Sequence, residues 1–451
     1  MSCSRTNDFR YVQALTGHTG CVNALAISRN IGRYLATGSD DKRIILHDLF
    51  SANFNHQPAV LHGHENNVFS IKFGKQDNHV YSCGLDGFSF VYDLNKSNRP
   101  FYRGGNASEQ AYKIDVKKDN DNLFAVASTQ SLELFDLRIR APYNELACRQ
   151  QLSTVNYHPI EQKILIASMK GKLDLLDERK LDRPYLKYNT ALRYYPSFFQ
   201  QRASDAVTLF EEFSFSGNET IRLELPISNA TFNYNGELIL ASPLFFFPTL
   251  YRTSDADPQV VFYARELRHV WTMKNFNFGG PYDKMILAGS DKKLGFFWHL
   301  PDTFCTGFEH AKQRQDRKQH AFTRQGRCVN QPAANVTLAR DVLLAQPFNE
   351  AVSDTVDFFS NSSYAGIQFR DAKRSFEVAQ TYGKLLNAKG MINSVVMHSK
   401  MPLIFTAGVE NIVHVYSNLE LGHITKSYNR NSETLNIFEQ LLQQNNLNDL
   451  F

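Results

Sequence analysis

Two segments of the chain end alike. Leu132-Glu133-Leu134-Phe135-Asp136-Leu137-Arg138 and Leu173-Asp174-Leu175-Leu176-Asp177-Glu178-Arg179 are apolar runs that close on Asp-x-Arg, and their arginines stand 41 residues apart. An Asp at the end of a strand commonly caps the turn that follows, so Asp136 and Asp177 have a structural reading. The arginine two residues on has no such duty. A guanidinium presented to solvent can clamp a carboxylate or a backbone carbonyl of a partner through two parallel N–H donors. One such pair says little, because charged residues often end strands. Two in matching phase point to an interaction surface. Covalent chemistry has no counterpart in the sequence: no G-x-S-x-G, H-E-x-x-H or Walker glycine loop occurs, and the 14 histidines are scattered. The six cysteines (Cys3, Cys21, Cys83, Cys148, Cys305 and Cys328) form no C-x-x-C pair and no zinc-knuckle spacing. They read as free thiols in a reducing compartment. The chain therefore reads as a non-enzyme that needs no metal and no cofactor.

Something must hold the two arginines in register, and a period near 40 residues implies a repeated unit. Gly17-His18 is followed by Val22-Asn23-Ala24-Leu25-Ala26-Ile27, then Thr37-Gly38-Ser39-Asp40-Asp41, then Ile44-Ile45-Leu46-His47-Asp48. Gly63-His64 restarts the series with Val68-Phe69-Ser70-Ile71-Lys72-Phe73, then Ser82-Cys83-Gly84-Leu85-Asp86-Gly87, then Phe90-Val91-Tyr92-Asp93. Alternating apolar and small or polar residues in these runs signal strands, and Asp86-Gly87 signals a hairpin turn. The two units resemble the WD-repeat pattern, with His47 and Tyr92 in the tryptophan place. That resemblance implies a buried hydrogen-bond chain in each: His18, Thr37 and Asp41 in the first, His64, Ser82, Asp86 and Tyr92 in the second. These residues are structural, since a satisfied buried network specifies a fold and does no chemistry. His47 cannot pack as an indole does, so the first chain should be partial.

Weaker units follow in phase at residues 111–138, 153–179, 229–267, 275–300 and 392–419. The total of seven implies an all-β, seven-bladed WD-repeat β-propeller over residues 9–421, which closes into a ring with few exposed edges. Residues 9–15 are expected to supply the outer strand of the seventh blade. Two long insertions, 185–228 and 302–389, do not fit the repeat. The second opens with six Lys and Arg between His310 and Asn330 against Asp316 alone, which reads as a solvated loop, with a partner patch left open. A tail, 422–451, is expected to hold a short C-terminal helix with Leu435, Phe438, Leu441 and Leu442 on one face, either packed on the body or docked in a partner groove.

Charge is nearly balanced, 49 Lys and Arg against 45 Asp and Glu, so no global basic field for nucleic acid exists and direct nucleic-acid binding is not expected. The N-terminus lacks an apolar signal core. The most apolar stretch, 238–251, is broken by Pro243 and Pro248 and falls short of the roughly 20 residues that cross a bilayer. No membrane association is expected, and the nucleus or cytoplasm, or both, is the expected location.

The doubled Asp-x-Arg also resembles the W-D-x-R box of substrate receptors of the cullin-4 ubiquitin ligase. There the box marks binding to the damaged-DNA-binding-protein adaptor, often in two consecutive blades. The chain departs from the box in Phe135-Asp136 and Leu176-Asp177 for Trp-Asp, and in Glu178 where an aliphatic residue is usual. Leu15-Thr16-Gly17-His18-Thr19-Gly20-Cys21-Val22-Asn23-Ala24, Gly38-Ser39-Asp40-Asp41-Lys42-Arg43, Asn120-Asp121-Asn122-Leu123-Phe124-Ala125 and Gly408-Val409-Glu410-Asn411-Ile412-Val413 are similar to the factor-five branch of these cullin-4-associated factors. The resemblance covers residues 11–183, 229–301 and 387–421. It implies a substrate receptor of a cullin-4 RING E3 ligase, with Asp136, Arg138, Asp177 and Arg179 binding the adaptor and a protein substrate, not named by the sequence, presented for ubiquitination. The helix-loop-helix that several such receptors carry ahead of the propeller is expected to be missing. The alternative is a non-degradative WD-repeat scaffold of another nuclear complex, in chromatin or RNA processing, with the Asp-x-Arg pairs as surface coincidence.

Overall fold

A computed structural model describes residues 9–49, 58–139, 141–194, 221–264, 266–304, 337–338, 368–369 and 377–418. The expected helix at 422–451 and the basic run at 310–330 lie outside these residues. The architecture is a seven-bladed β-propeller in which every blade contains four antiparallel strands, a to d from the axis outward. Blade 1 is Val22–Ile27, Tyr34–Ser39, Ile44–Asp48 and Ala59–Leu61; blade 2 is Val68–Phe73, His79–Gly84, Phe88–Asp93 and Tyr102–Gly105. Blade 3 is Ala111–Val116, Leu123–Ser128, Ser131–Asp136 and Asn144–Ala147; blade 4 is Leu152–Tyr157, Lys163–Ser168, Leu173–Asp177 and Lys180–Lys187. Blade 5 is Ile227–Phe232, Leu238–Pro243, Thr249–Arg252 and Pro258–Tyr263. Blade 6 is Asn277–Gly279, Met285–Gly289, Gly295–His299 and Gly383–Leu385. Blade 7 is Ile392–Met397, Leu403–Gly408, Val413–Ser417 and Arg10–Leu15.

The last of these is the ring clasp expected from the sequence: Arg10–Leu15 pairs antiparallel with Val413–Ser417, so both ends of the ring share one sheet. Strands b and c are sandwiched between neighbouring blades, and for that reason runs such as Ile164-Leu165-Ile166-Ala167 are buried on both faces and read as continuous apolar stretches. The interblade cores follow: Ala125, Leu132 and Leu134 of blade 3 pack on Val155, Ile164 and Leu176 of blade 4. In six blades strand a slips register after its first residue, as between Ala111 and Lys113 or Leu152 and Thr154. Such bulges add twist where each sheet enters the axis.

The a–b and c–d turns share one face of the ring, and the b–c turns and d–a links share the other. On the first face neighbouring blades are latched in two ways. In one, a turn carboxylate accepts amide N–H groups of the preceding blade: Asp77 from Arg29 and Asn30, Asp121 from Lys75, Asp283 from Tyr234. In the other, a histidine after strand a donates its Nε2–H to the glycine carbonyl of the next turn: His158 to Gly236 (3.0 Å) and His398 to Gly32 (3.1 Å). Both histidines accept two amide N–H groups at Nδ1, which fixes the neutral tautomer. A Cβ at Gly32 or Gly236 would lie within 2.5 Å of the imidazole, and both have φ of +79°, so only glycine serves there.

The insertions are shorter than the repeat pattern suggests, because their ends belong to blades. Lys180–Lys187 completes blade 4 and Gly383–Leu385 completes blade 6. Glu377–Gln380 adds a parallel strand to the outer edge of blade 5. Ala191–Tyr194 pairs with Ile221–Glu224 and with Gln368–Phe369, so the two insertions meet. Short β-segments with no alternating apolar pattern of their own gave no sequence signal.

Candidate protein-interaction site

Asp136 and Asp177 end strand c of blades 3 and 4, and each caps its turn by accepting the amide N–H of the residue two on, Arg138 (3.0 Å) and Arg179 (2.9 Å). The side chain of each arginine then folds back on the same carboxylate. Arg138 donates Nε–H to Asp136 Oδ1 (2.9 Å) and an Nη2–H to Oδ2 (2.5 Å); Arg179 donates Nε–H to Asp177 Oδ1 (3.0 Å) and an Nη2–H to Oδ2 (2.8 Å). Both arginines stay on the surface, 70% and 72% exposed. The sequence reading had a guanidinium free to emerge toward solvent; the structure gives one that emerges but is held side-on by its own chain. Two of its five N–H donors are engaged, and the end-on donors have no other partner among the described residues. The arginine hydrogen bonds hold both carboxyls below the usual carboxylate range.

Glu178, the departure beside Arg179, does not face outward. Its Oε2 pairs with Lys117 Nζ of blade 3 at 2.7 Å, and its Oε1 accepts the Tyr143 hydroxyl at 3.3 Å. The Tyr102 hydroxyl ties blade 2 to the Ile139 carbonyl at 3.0 Å. The two boxes thus sit on a face braced across three blades, with exposed Ile139 and Tyr143 beside Arg138, and Tyr185, also exposed, stacked under Lys163 in blade 4. Arginine among exposed aromatic and aliphatic side chains is the composition of interface hot spots.

Sequence reasoning missed that strand c also ends on a paired Asp in blades 1 and 2. Asp48 is gripped by Arg33 (Nη2–Oδ2 2.7 Å), and Asp93 pairs with Lys96 (2.9 Å). His47-Asp48-Leu49 and Tyr92-Asp93-Leu94 carried that signal. Only in blades 3 and 4 does the cation sit two residues after the Asp.

The opposite face holds the blade networks. His18 bridges Asp41 (2.9 Å) and Thr37 (2.8 Å); His64 bridges Asp86 (2.8 Å) and Ser82 (2.7 Å). Burial opposes ionisation of Asp41, but the Thr19 amide, Arg43 and His18 draw its carboxyl down to about 2. Tyr92 is fully buried in the tryptophan place, yet its hydroxyl has no hydrogen-bond partner among the described residues, so the second chain ends at Ser82. A phenol projects its polar atom past the point where an indole N–H sits; the Tyr92 oxygen packs against Gly63, 3.0 Å from where a Cβ would stand. His47 is buried, its imidazole pushed down to about 4 by desolvation, and stands outside the His18–Asp41–Thr37 chain. Among the described residues no group of His, Cys, Asp and Glu could hold a metal, and no helix is long and apolar enough to cross a membrane.

The model of the WD domain, G-beta repeat, matches residues 9–48 and 55–93. DDB1- and CUL4-associated factor 5 of Homo sapiens is 29% identical over 295 residues, 64% of this chain and 28% of that protein, and the Mus musculus protein of the same name gives the same figures. The chain carries WD repeats over its first two blades and is similar to DDB1- and CUL4-associated factor 5. The WD repeat protein iqw1 of Schizosaccharomyces pombe is 32% identical over 170 residues, 34% of this chain and 20% of that one. The chain spans little more than a quarter of the length of the first of these relatives. The matched model repeats are blades 1 and 2 with the clasp strand, whereas the Asp-x-Arg boxes lie in the blades beyond them.

Proposed function

We propose that this chain is a substrate receptor of a cullin-4 RING E3 ubiquitin ligase, joined to the DDB1 adaptor through Asp136-x-Arg138 and Asp177-x-Arg179. The observation that carries the reading is the pair of exposed guanidiniums in adjacent blades, each fixed side-on by its own Asp and presenting its end-on donors. A clamp of this kind is preorganised: the rotamer entropy of the arginine is lost on folding, so less is lost on binding. Neutralisation of Glu178 by Lys117 keeps a second acidic group from opposing an acidic partner surface. Relatives named for association with DDB1 and CUL4 support the same reading. The insertions and the face of the b–c turns would hold the protein substrate.

A second reading has its own support. The Asp–cation pair recurs in blades 1 and 2 in other forms, as a structural fastening of strand c, and each box arginine is bound by its own carboxylate. On that reading the chain is a non-degradative scaffold. Affinity purification of the full chain separates the two. Arg138→Ala with Arg179→Ala should abolish DDB1 recovery while the thermal midpoint stays put; equal recovery from wild type and variant would refute the arginine anchors, and no recovery from the wild type would leave only the scaffold.

A further inference from the structure

The a strands carry an unbalanced set of charges into the axis of the ring. Asp115 of blade 3 is buried. Its Oδ2 accepts the Tyr157 amide N–H (2.7 Å) and an Asn156 Nδ2–H (3.2 Å), and its Oδ1 lies 3.4 Å from Lys72 Nζ of blade 2 and 3.9 Å from Arg29 Nη2 of blade 1. Two residues before Asp115, Lys113 reaches across the axis and donates to Asn275 Oδ1 beside blade 6 at 2.8 Å. At the mouth on the a–b side a second bar crosses: Lys118 donates to the Tyr234 carbonyl of blade 5 at 3.0 Å, beside Asp283, which accepts the Tyr234 amide. Arg29 and Lys72 share the one Asp115 carboxylate, and Lys113, on the same strand as Asp115, has no ion-pair partner among the described residues. Asp77, on the neighbouring turn, has both oxygens on the Arg29 and Asn30 amides. Among the described residues Lys113 has a single hydrogen-bond acceptor, and it is a neutral amide oxygen.

We propose that the axial channel is a binding site for a small tetrahedral oxyanion, a phosphate or phosphomonoester, held by Arg29, Lys72 and Lys113. The three cationic donors come from three successive blades, and a phosphate, with more acceptor oxygens than a carboxylate, can take hydrogen bonds from all of them. The Lys113–Asn275 and Lys118–Tyr234 links cross the axis at the cluster and at the mouth, which suits a small molecule better than a polypeptide threaded through the ring. Burial, and then Lys72, pull the Lys113 ammonium down to about 7; an anion would restore its charge.

Calorimetric titration of the full chain with inorganic phosphate, and separately with glycerol 3-phosphate, at fixed ionic strength tests the site. One-to-one binding is expected, weakened about tenfold or more by Lys72→Gln and by Lys113→Met, and unchanged by Lys96→Gln on the exposed rim. Should Lys113→Met fail to fold, Lys72→Gln and Arg29→Gln, both at partly exposed positions, must each weaken binding. Equal affinity for the two ligands would mark a monoester site, and a preference for phosphate a free-ion site. No binding of either ligand, or binding undiminished in the variants, overturns the proposal.

Discussion

Blades 1–2 and blades 3–4 solve the same packing problem with different polar parts. In blades 1 and 2 a buried histidine spans a turn carboxylate and a strand hydroxyl, His18 between Asp41 and Thr37 and His64 between Asp86 and Ser82. In blade 3 the corresponding link holds Glu109, which accepts from Ser128 (2.5 Å) and Ser131 (3.1 Å), and in blade 4 Ser168 donates to Gln150 (3.2 Å). The regular network is therefore replaceable by cheaper polar contacts, while the exposed Asp-x-Arg boxes occur only where it has been replaced. In these four blades the interior and the outer turns change together, and the boxes lie outside the two blades that match the repeat.

The largest expected effect breaks the comparison on the side of blades 3–4. If both arginines are interface hot spots, each worth about 2 kcal/mol or more, Arg138→Ala with Arg179→Ala should weaken DDB1 binding by about three orders of magnitude in a titration, with stability changed by less than about 0.5 kcal/mol. Next comes the interior of blade 2. His64→Ala leaves the buried Asp86 and Ser82 without their partner and should cost about 3 kcal/mol in denaturant unfolding, whereas Glu109→Ala in blade 3 should cost about 1 kcal/mol. Equal losses would mean that the two networks are energetically alike.

Acid sharpens the contrast. His398, His47 and His158 are held neutral, their pKa values lowered first by burial, His398 and His47 to about 4. The unfolded chain protonates them near the ordinary histidine value of about 6.5, so it binds protons first as pH falls. Stability should be full above that value and fall progressively toward pH 4, as chemical unfolding across that range would reveal; a flat profile would contradict the neutral latches. Two smaller changes complete the set. Lys117→Met should unmask Glu178 and weaken adaptor binding a few-fold, about 0.5–1 kcal/mol. Arg33→Ala, which removes the blade 1 counterpart of the boxes, should leave binding unchanged and stability within about 0.5 kcal/mol.

Much of this was legible in the sequence. Seven strand-rich units, the clasp by residues 10–15 and the phase of the two boxes all rest on local periodicity, which survives in a fold built from short-range hairpins. Long-range partners left no such trace. That Glu178 turns to Lys117, that His398 reaches Gly32 from the far end of the chain, and that Lys113 crosses to Asn275 depend on ring closure, which places residues distant in sequence side by side. The return limb of the second insertion was also hidden, because Glu377–Gln380 and Gly383–Leu385 are too short to alternate visibly and are recruited by edges already formed.

That limb has a consequence for the integrity of the molecule. Blade 6 obtains its fourth strand from residues 383–385, some eighty positions after its third, and the segment just before them is zipped along blade 5. The chain leaves blade 6 unfinished, and only the return completes it. A single peptide cleavage between residues 305 and 376 would then yield two fragments that are interlocked rather than released. The smaller would carry the outer strand of blade 6 and three strands of blade 7, and the larger would keep the strand that closes blade 7. Separately expressed halves divided there should recognise each other and rebuild the ring.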